Sequence, residues 1–330
     1  EQRQLSATAI SASMTLDRRG IALEALKLER ASKELAGIAS LRDINGRWSI
    51  SATLAGDLID GTGAQAAFQS LKNPDNSWSK KPLVLNPLPN IDLDFRLSTK
   101  NFKLGNVNLS NVALSVLTRQ GRSEFAVIDS RFGQGFIKAR VNVAELGDGQ
   151  QEVRFQASSD KVDTGKFLDR ALGFNRLVGE GNLVIHAEGR GNNVASLISS
   201  LSGTAAMEVQ SGELVGIDLV RLMARANEPR PELAVVYALA GKTSFESLRA
   251  NFVVKDGRIE PVGSTFVSPK VTAMLEGVID LITQRHQMAV ILKRRVEEAG
   301  QPGEFFAFRI DGGLFSPGLK PDPKLLLNRS

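Results

Sequence analysis

Apolar and polar residues alternate in many segments of the chain, which is the pattern of a β-strand with one buried face. Residues 91–97 read Ile-Asp-Leu-Asp-Phe-Arg-Leu, so the apolar side chains fall on one face and the charged ones on the other. The same alternation occurs in residues 136–143, 182–187, 251–254 and 306–310. These segments are predicted to be strands of a sheet that has one apolar face.

Short turn signals separate the predicted strands. They include Gly105-Asn106, Gln120-Gly121 and Lys255-Asp256-Gly257. Such residues favour tight connections between neighbouring strands, and they recur at about 10–14 residues, the spacing of an antiparallel meander. The sequence therefore predicts a fold that is mainly β with a few short helices, and it disfavours a parallel βαβ sheet.

Helical periodicity is confined to short segments, each preceded by a residue that favours a helix start. The predicted helices cover residues 164–172, 194–201, 219–226 and 232–240, after Asp163, Asn193, Asp218 and Pro231 respectively. The first 45 residues are less regular. Residues 20–28 alternate like a strand, whereas residues 33–40 are compatible with a helix or a loop.

Residues 70–89 form the least regular stretch of the chain and contain several prolines. We interpret this stretch as a long loop and as a possible boundary between two parts of the protein. The predicted division is an N-terminal β-rich segment with its loop, residues 1–77, and a main body, residues 78–330.

The composition is that of an ordinary globular protein, with 42% hydrophobic and 23% charged residues. A net charge of +5 is compatible with an anionic partner, but the 41 basic and 36 acidic residues are interspersed, which favours a mixed solvated surface. There is no cysteine, and no apolar run reaches the roughly 18 residues that cross a bilayer. Because the chain begins at Glu1 rather than at Met, we expect a signal or anchor upstream of it.

No constellation of catalytic or metal-binding residues is apparent in the sequence. His186 lies in a strand pattern and His286 is predicted in a polar turn, so neither has the spacing of a metal site. Asp92 and Asp94 share the polar face of one predicted strand, the normal place for solvated carboxylates. We therefore expect a non-enzymatic protein without a metal or a cofactor. Nucleic-acid binding is also not expected, because the phenylalanines follow the apolar faces of strands instead of lying among basic residues.

Several short motifs, in a fixed order, resemble the AsmA family of bacterial envelope proteins. Residues 201–219 carry the central one, Leu-Ser-Gly, a strand, and then Gly-x-Leu-x-Gly-Ile-Asp-Leu. A Trp-Ser stretch at residues 78–82 leads into residues 92–97 ahead of it, and Gly-x-Thr-x-Phe follows at residues 241–245. The remaining motifs are at residues 268–269, 277–281 and 312–317. Leu275 departs from the family pattern, since it replaces the first glycine of a Gly-x-Gly pair. The resemblance covers residues 78–321.

The resemblance implies a large curved antiparallel sheet that forms a groove or an open-barrel-like trough. It further implies a periplasmic location behind an N-terminal inner-membrane anchor outside this chain, and a role in outer-membrane lipid homeostasis and biogenesis. Longer relatives are thought to form bridge-like lipid conduits between the two membranes. The family motifs are interpreted as scaffold signatures, in which glycines permit turns and bulges and Asp218 caps a helix. Their structural residues are Gly212, Gly216, Asp218, Gly241, Gly277 and Asp280.

Two hypotheses follow for the function. In the first, the apolar face of the sheet binds or conducts the acyl chains of phospholipid, and the groove candidates are Leu93, Phe95, Val141, Val143, Leu183 and Ile185. In the second, the sheet closes on itself and the protein is a scaffold or assembly factor that binds an envelope protein through exposed edges or helices. An apolar surface open to solvent distinguishes the first hypothesis from the second, because a closed core leaves no place for lipid.

Overall fold

The computed structural model describes residues 9–30, 33–61, 71–83, 85, 90–224, 241–295, 305–313 and 316–322. Its residues group into two compact units. Unit 1 comprises residues 1–157 and 190–194, and unit 2 comprises residues 158–189 and 195–330. The predicted class, mainly β with a few short helices, is confirmed. The boundary predicted between residues 77 and 78 remains a prediction, although the strands on its two sides pair with each other within unit 1.

Unit 1 is a meander of long strands. They are β1 (Ala9–Asp17), β2 (Gly20–Arg30), β3 (Lys33–Ile44), β4 (Arg47–Asp60), β5 (Ile91–Leu104), β6 (Val107–Arg119), β7 (Arg122–Phe132) and β8 (Gly135–Gly147), and β9 (Gln150–Asp163) follows. From β1 to β8, each strand pairs with the next one along the chain. Tight turns such as Asn45-Gly46 and Gln120-Gly121, all four residues at positive φ, connect the hairpins.

One pair in this meander departs from the predicted antiparallel arrangement. Strands β4 and β5 run parallel, in register from Trp48 opposite Ile91 to Asp60 opposite Lys103. A parallel pair needs a connection that returns the chain to the starting end, which a tight turn cannot do. Residues 61–90 provide that length, so the long loop predicted from the sequence is the crossover that makes the parallel pair possible.

Unit 2 combines strands with short helices. Its elements are α1 (Thr164–Leu172), β10 (Leu177–Gly191), α2 (Val194–Ser199), β11 (Ser202–Val215), α3 (Leu219–Ala224), β12 (Lys242–Lys255), β13 (Arg258–Pro261), β14 (Thr265–Val267), β15 (Val271–Asp280), β16 (Arg285–Arg294), β17 (Phe305–Gly313) and β18 (Ser316–Pro321). Strands β10, β11 and β12 pair in sequence order, as do β15 to β18. The short strands β13 and β14 lie one after the other along β12, and each also pairs with β15. Between them, the Ser264 hydroxyl bonds both backbone groups of Asn251 at 2.9 Å.

The predicted helices are largely confirmed where the structure describes them. Helix α1 has both predicted ends: Asp163 accepts a hydrogen bond from the Lys166 amide at 3.0 Å, and Gly173 adopts the left-handed conformation with φ 71°. Helix α2 ends two residues earlier than predicted. Helix α3 begins after Asp218 as predicted, and the fourth predicted helix, residues 232–240, lies outside the described residues.

Three sequence interpretations are wrong. Residues 33–40 belong to strand β3, because pairing with β2 and β4 on both sides outweighs the local helix preference. His286 is the second residue of β16 and is buried, since the turn is already complete at residue 284. The paired glycines at 179–181 and 189–191 lie within β10 instead of in flanking turns, and Gly179 is at a bulge opposite β11.

Candidate functional site

Apolar side chains from seven strands line up in rows on one side of unit 1. Residues in register on neighbouring strands point to the same side of a sheet. One row is Leu23, Ala39, Ala52, Phe95, Val116, Phe125 and Val141, from β2 to β8. The row beside it is Ile21, Leu41, Ile50, Leu93, Thr118, Ser123 and Val143. A third contains Leu26, Leu54, Leu97, Leu114, Val127 and Ala139, and we call these three rows the apolar face.

A β-bulge keeps the apolar face continuous where the sequence breaks its alternation. In β2, two residues separate Leu23 from Leu26, which would place them on opposite sides of a regular strand. The register with β3 shifts between them, and Ala25 has φ 50°. The extra residue restores the alternation, so Leu26 and Leu28 return to the side of Leu23. Leu26 is 5% exposed as a result.

The opposite side of the same strands is polar. Its rows carry residues such as Thr53, Arg96 and Arg140, all exposed, and Glu124, whose carboxylate pairs with Arg140 at 3.7 Å. Unit 1 is therefore a two-faced sheet, apolar on one side and charged on the other.

In the described part of unit 1, no helix covers the apolar face. Apart from Val194, the first residue of α2, the residues that the structure describes in unit 1 contain no helix. Most side chains of the face are half-buried, and Phe125 is 38% exposed. At the β1 end, Met14 is in register with Leu23 and is 65% exposed. The face is therefore accessible along much of its width.

The six predicted groove residues divide between the two units. Leu93, Phe95, Val141 and Val143 all lie on the apolar face of unit 1, where the first three are half-buried and Val143 is 4% exposed. The other two, Leu183 and Ile185, lie on β10 in unit 2 and are half-buried; Leu183 is opposite Met207 and Ile185 is opposite Ala205. The prediction missed Leu54, Leu114 and Phe125, which alternation in their own strands marks as apolar-face residues once the register is known.

Unit 2 has a packed core in which helices do cover the sheet. Its central row is Val209, Leu248, Phe266, Ala273, Leu292 and Phe306. Leu219, Leu222 and Met223 of α3 are buried against this cluster, and Phe245 packs on Phe266 with ring centroids 5.2 Å apart. A cavity of about 240 Å³ remains beside it, lined mainly by apolar side chains that include Leu214, Met274 and Ile310.

The family motifs surround the start of α3. Asp218 accepts a hydrogen bond from the Arg221 amide at 2.8 Å and so caps the helix. Gly241 is packed so closely on Asp218 that a Cβ there would lie 2.5 Å from the Asp218 Cβ, and its carbonyl accepts from the Gly216 amide at 2.8 Å. At Gly212, a Cβ would lie 2.3 Å from the Val178 carbonyl oxygen. Both positions need glycine because other atoms already occupy the space of a Cβ, those of the Asp218 side chain at Gly241 and those of the Val178 backbone and the Phe245 ring at Gly212.

Asp280 and Gly277 serve the hairpin between β15 and β16. The Asp280 carboxylate accepts hydrogen bonds from the amides of Ile282 and Thr283, both at 2.9 Å. The backbone bond from Thr283 above all, together with the nearby charge of Arg258, holds the pKa of Asp280 below its ordinary value. Gly277 has φ 114°, a conformation that side chains strongly disfavour.

Titratable side chains in the described part of the chain do not assemble into a metal site: no group of three or more His, Asp or Glu residues has the required proximity there. Across those same residues, no helix is both long enough and apolar enough to cross a membrane.

The comparisons with known proteins give one match. The sequence profile of the AsmA family matches residues 61–262, which is more than half of the chain. No curated protein and no solved structure matches the chain significantly. The matched range contains the parallel crossover, strands β5 to β12 and the motifs around α3. The match to this family fits a lipid-related function in the cell envelope in general. The chain belongs to the AsmA family.

Proposed function

We propose that the apolar face of unit 1 binds the acyl chains of phospholipids in the bacterial periplasm, as part of lipid transport or lipid homeostasis at the outer membrane. The observation that carries this proposal is the set of registered apolar rows. They cross the strands of unit 1 without a charged residue, and most of their side chains remain partly exposed.

The geometry of the rows matches an extended hydrocarbon chain. Neighbouring strands lie about 4.8 Å apart, so a row that crosses seven strands offers roughly 30 Å of apolar surface, longer than an extended acyl chain of 16 carbons. Burial of one CH2 group contributes about 0.8 kcal/mol, so a half-shielded chain gains on the order of 5–8 kcal/mol. No directional contact is needed, which is consistent with a face that holds few polar groups.

The cavity in unit 2 is a weaker candidate for the same ligand. Engineered apolar cavities of about 150 Å³ hold one benzene molecule. By that measure, the cavity of about 240 Å³ has room for only part of a long acyl chain. The apolar face has the required length, and therefore it is the site to which we assign the acyl chains.

The cellular setting belongs to the same proposal. Family membership supports a place in the cell envelope, and we assign this chain to the periplasm, behind an inner-membrane anchor that lies outside this chain. Phospholipid is the proposed ligand, and an envelope protein is the proposed partner that supplies or receives it. We propose no catalytic step, no cofactor and no nucleic acid.

Lipid analysis of the purified protein tests the proposal. The chain is produced in the periplasm of a Gram-negative host and purified. Bound lipids are then extracted and identified by mass spectrometry, and native mass spectrometry gives their stoichiometry. Phospholipid in a defined ratio to protein is the expected result.

Matched variants locate the lipid. Phe95→Glu and Phe125→Glu each place a carboxylate on the apolar face, and Thr53→Glu adds the same charge on the polar face of the same sheet, opposite Arg96. Because an unpaired carboxylate next to hydrocarbon is strongly unfavourable, we expect the first two to lower bound phospholipid about tenfold or more and the third to leave it unchanged.

Two outcomes would contradict the proposal. One is phospholipid binding that is equally strong in Phe95→Glu, since this side chain is on the fourth of the seven strands in its row and is therefore in the middle of the proposed surface. The other is a stable, monodisperse protein that carries no lipid. Either result favours the second hypothesis, a scaffold or assembly factor for outer-membrane proteins, and crosslinking in cells would then identify the protein partner.

A further inference from the structure

A cleft of about 510 Å³ lies over strands β15 to β18 of unit 2. Three cationic residues line it: Arg285 on β16, Arg309 on β17 and Lys320 on β18. His286, Gln287 and Asp311 also line it, and we call these six residues the cationic cleft. Its volume falls in the range of about 300–1,000 Å³ that is usual for small-molecule sites.

The register of the strands holds two of the cations directly opposite each other. Arg309 is paired with Lys320 across β17 and β18, and like charges in such a position destabilise a sheet. Asp322 forms an ion pair with Arg309. In the part of the chain that the structure describes, the side chains of Arg285 and Lys320 have neither a hydrogen-bond nor an ion-pair partner.

Side-chain alternation places the three cations on one side of the strands. Arg285 and Gln287 alternate with His286 along β16, and the register joins Gln287 to Asp311 and Arg309 to Lys320. The three cations are exposed, whereas His286 is 7% exposed and lies on the other side of β16. Arginine and lysine side chains are donors only, so a group that binds them together is an acceptor with negative charge.

We propose that the cationic cleft binds a phosphate group. The three cations outnumber the single lining carboxylate, Asp311, and even with Arg309 neutralised by Asp322 a positive charge remains. A phosphate monoester carries about −1.5 to −2 charges and several acceptor oxygens, which arginine and lysine side chains recognise together. A phosphate ion fills only a small part of the cleft, so the rest of a phosphorylated ligand has room.

Two glycines also line the cleft. Gly277 of β15 lines it, and a Cβ there would lie 2.2 Å from the Gln287 carbonyl oxygen, on the backbone of β16. Gly312, at φ 130°, lines it from β17. Glycine therefore permits the close approach of β15 to β16 and the unusual backbone conformation of β17 beside the cleft.

Equilibrium dialysis of the full chain against radiolabelled inorganic phosphate tests the proposal. We expect saturable binding of one phosphate per chain. The double variant Arg285→Gln/Lys320→Gln is expected to weaken it by at least tenfold, since each lost charge-assisted hydrogen bond is worth about tenfold. The control Arg122→Gln/Lys138→Gln removes the same charge from exposed, unpaired cations of unit 1 and is expected to change binding less than twofold.

A variant that should strengthen binding distinguishes a defined phosphate site from non-specific electrostatic attraction. Asp311→Asn removes the carboxylate of the cleft, so phosphate binding is expected to tighten about threefold. Absence of saturable binding, or affinities unchanged by both the double variant and Asp311→Asn, would overturn the proposal. The cleft lies within unit 2 and its phosphate binding does not depend on the apolar face, so the two proposals can fail separately.

Soluble dihexanoyl phosphatidic acid distinguishes a lipid head group from a free phosphate ester. If this lipid binds at least tenfold more tightly than inorganic phosphate, and the double variant removes the gain, the ligand is a phospholipid whose head group occupies the cleft. If both probes bind equally, the cleft recognises the phosphate group alone. Both results support the phosphate site, and they differ only in whether the bound phosphate belongs to a lipid head group or to a free phosphate ester.

Discussion

The hydroxyl of Thr243 connects helix α3 to strand β12, and its removal should destabilise unit 2. Its Oγ1 atom accepts a hydrogen bond from the Leu219 amide at 2.8 Å and donates one to the Ile217 carbonyl at 2.7 Å. Thr243 is 3% exposed, so water cannot replace either bond. Leu219 is the first residue of α3, and the N–H groups in the first turn of a helix have no hydrogen-bond partner within the helix.

Two substitutions distinguish the contribution of the Thr243 hydroxyl to stability from that of its methyl group. Thr243→Val keeps the volume but leaves a buried donor and a buried acceptor unpaired, which costs about 2–4 kcal/mol. Thr243→Ser keeps both hydrogen bonds and loses one buried methyl group, which costs about 1 kcal/mol. We therefore expect the free energy of unfolding to decrease in the order wild type, Ser, Val.

Urea denaturation of the purified variants measures these free energies. Hydrogen exchange gives a local readout, since the Leu219 amide should lose protection in Thr243→Val and retain it in Thr243→Ser. A valine variant at least as stable as the serine variant would show that the hydroxyl does not connect α3 to the sheet.

Three further predictions concern stability. Asp280→Asn should lower the free energy of unfolding at pH 7, because the pKa of Asp280 is lowered in the folded state. The contribution of the carboxylate is fully present above the ordinary Asp pKa of about 3.9 and is lost as the pH falls through the lowered pKa, so the urea midpoints of variant and wild type should converge in acid. Gly277→Ala should cost at least about 2 kcal/mol, because φ is 114° and the new Cβ would meet the Gln287 carbonyl; an unchanged melting temperature would contradict this. Leu222→Ala, at a side chain that is 0% exposed, should cost about 2–5 kcal/mol in a urea titration, while Val220→Ala, at a position 37% exposed, should cost far less.

Local signals explain what the sequence predicted correctly. Alternation identified the strands that contain Leu93 and Val141, since one buried face leaves a period of two in the residues themselves. Both ends of α1 were predictable because Asp163 and Gly173 act within one turn of the helix. The class of the fold follows from such local patterns, as does the place of α3 after Asp218.

The features that depend on distant pairing were not predictable. Residues 33–40 form a strand only because β2 and β4 lie on either side, and the parallel pair β4–β5 has no local signature. The bulge at Ala25 is visible only from the register with β3. The cationic cleft also requires the register, because it joins residues of β16, β17 and β18 that no motif connects.

The hairpin order of unit 1 has a consequence for how such a protein can change length. A strand pair inserted at one turn of a nearest-neighbour meander contacts only the strands beside it, so the other pairings keep their register, as in repeat proteins. Each added hairpin would extend the sheet by about 10 Å. Insertion of a single residue within a strand would instead turn the following side chains to the wrong side unless a bulge absorbs it. Evolution of this architecture is therefore expected to proceed by whole hairpins.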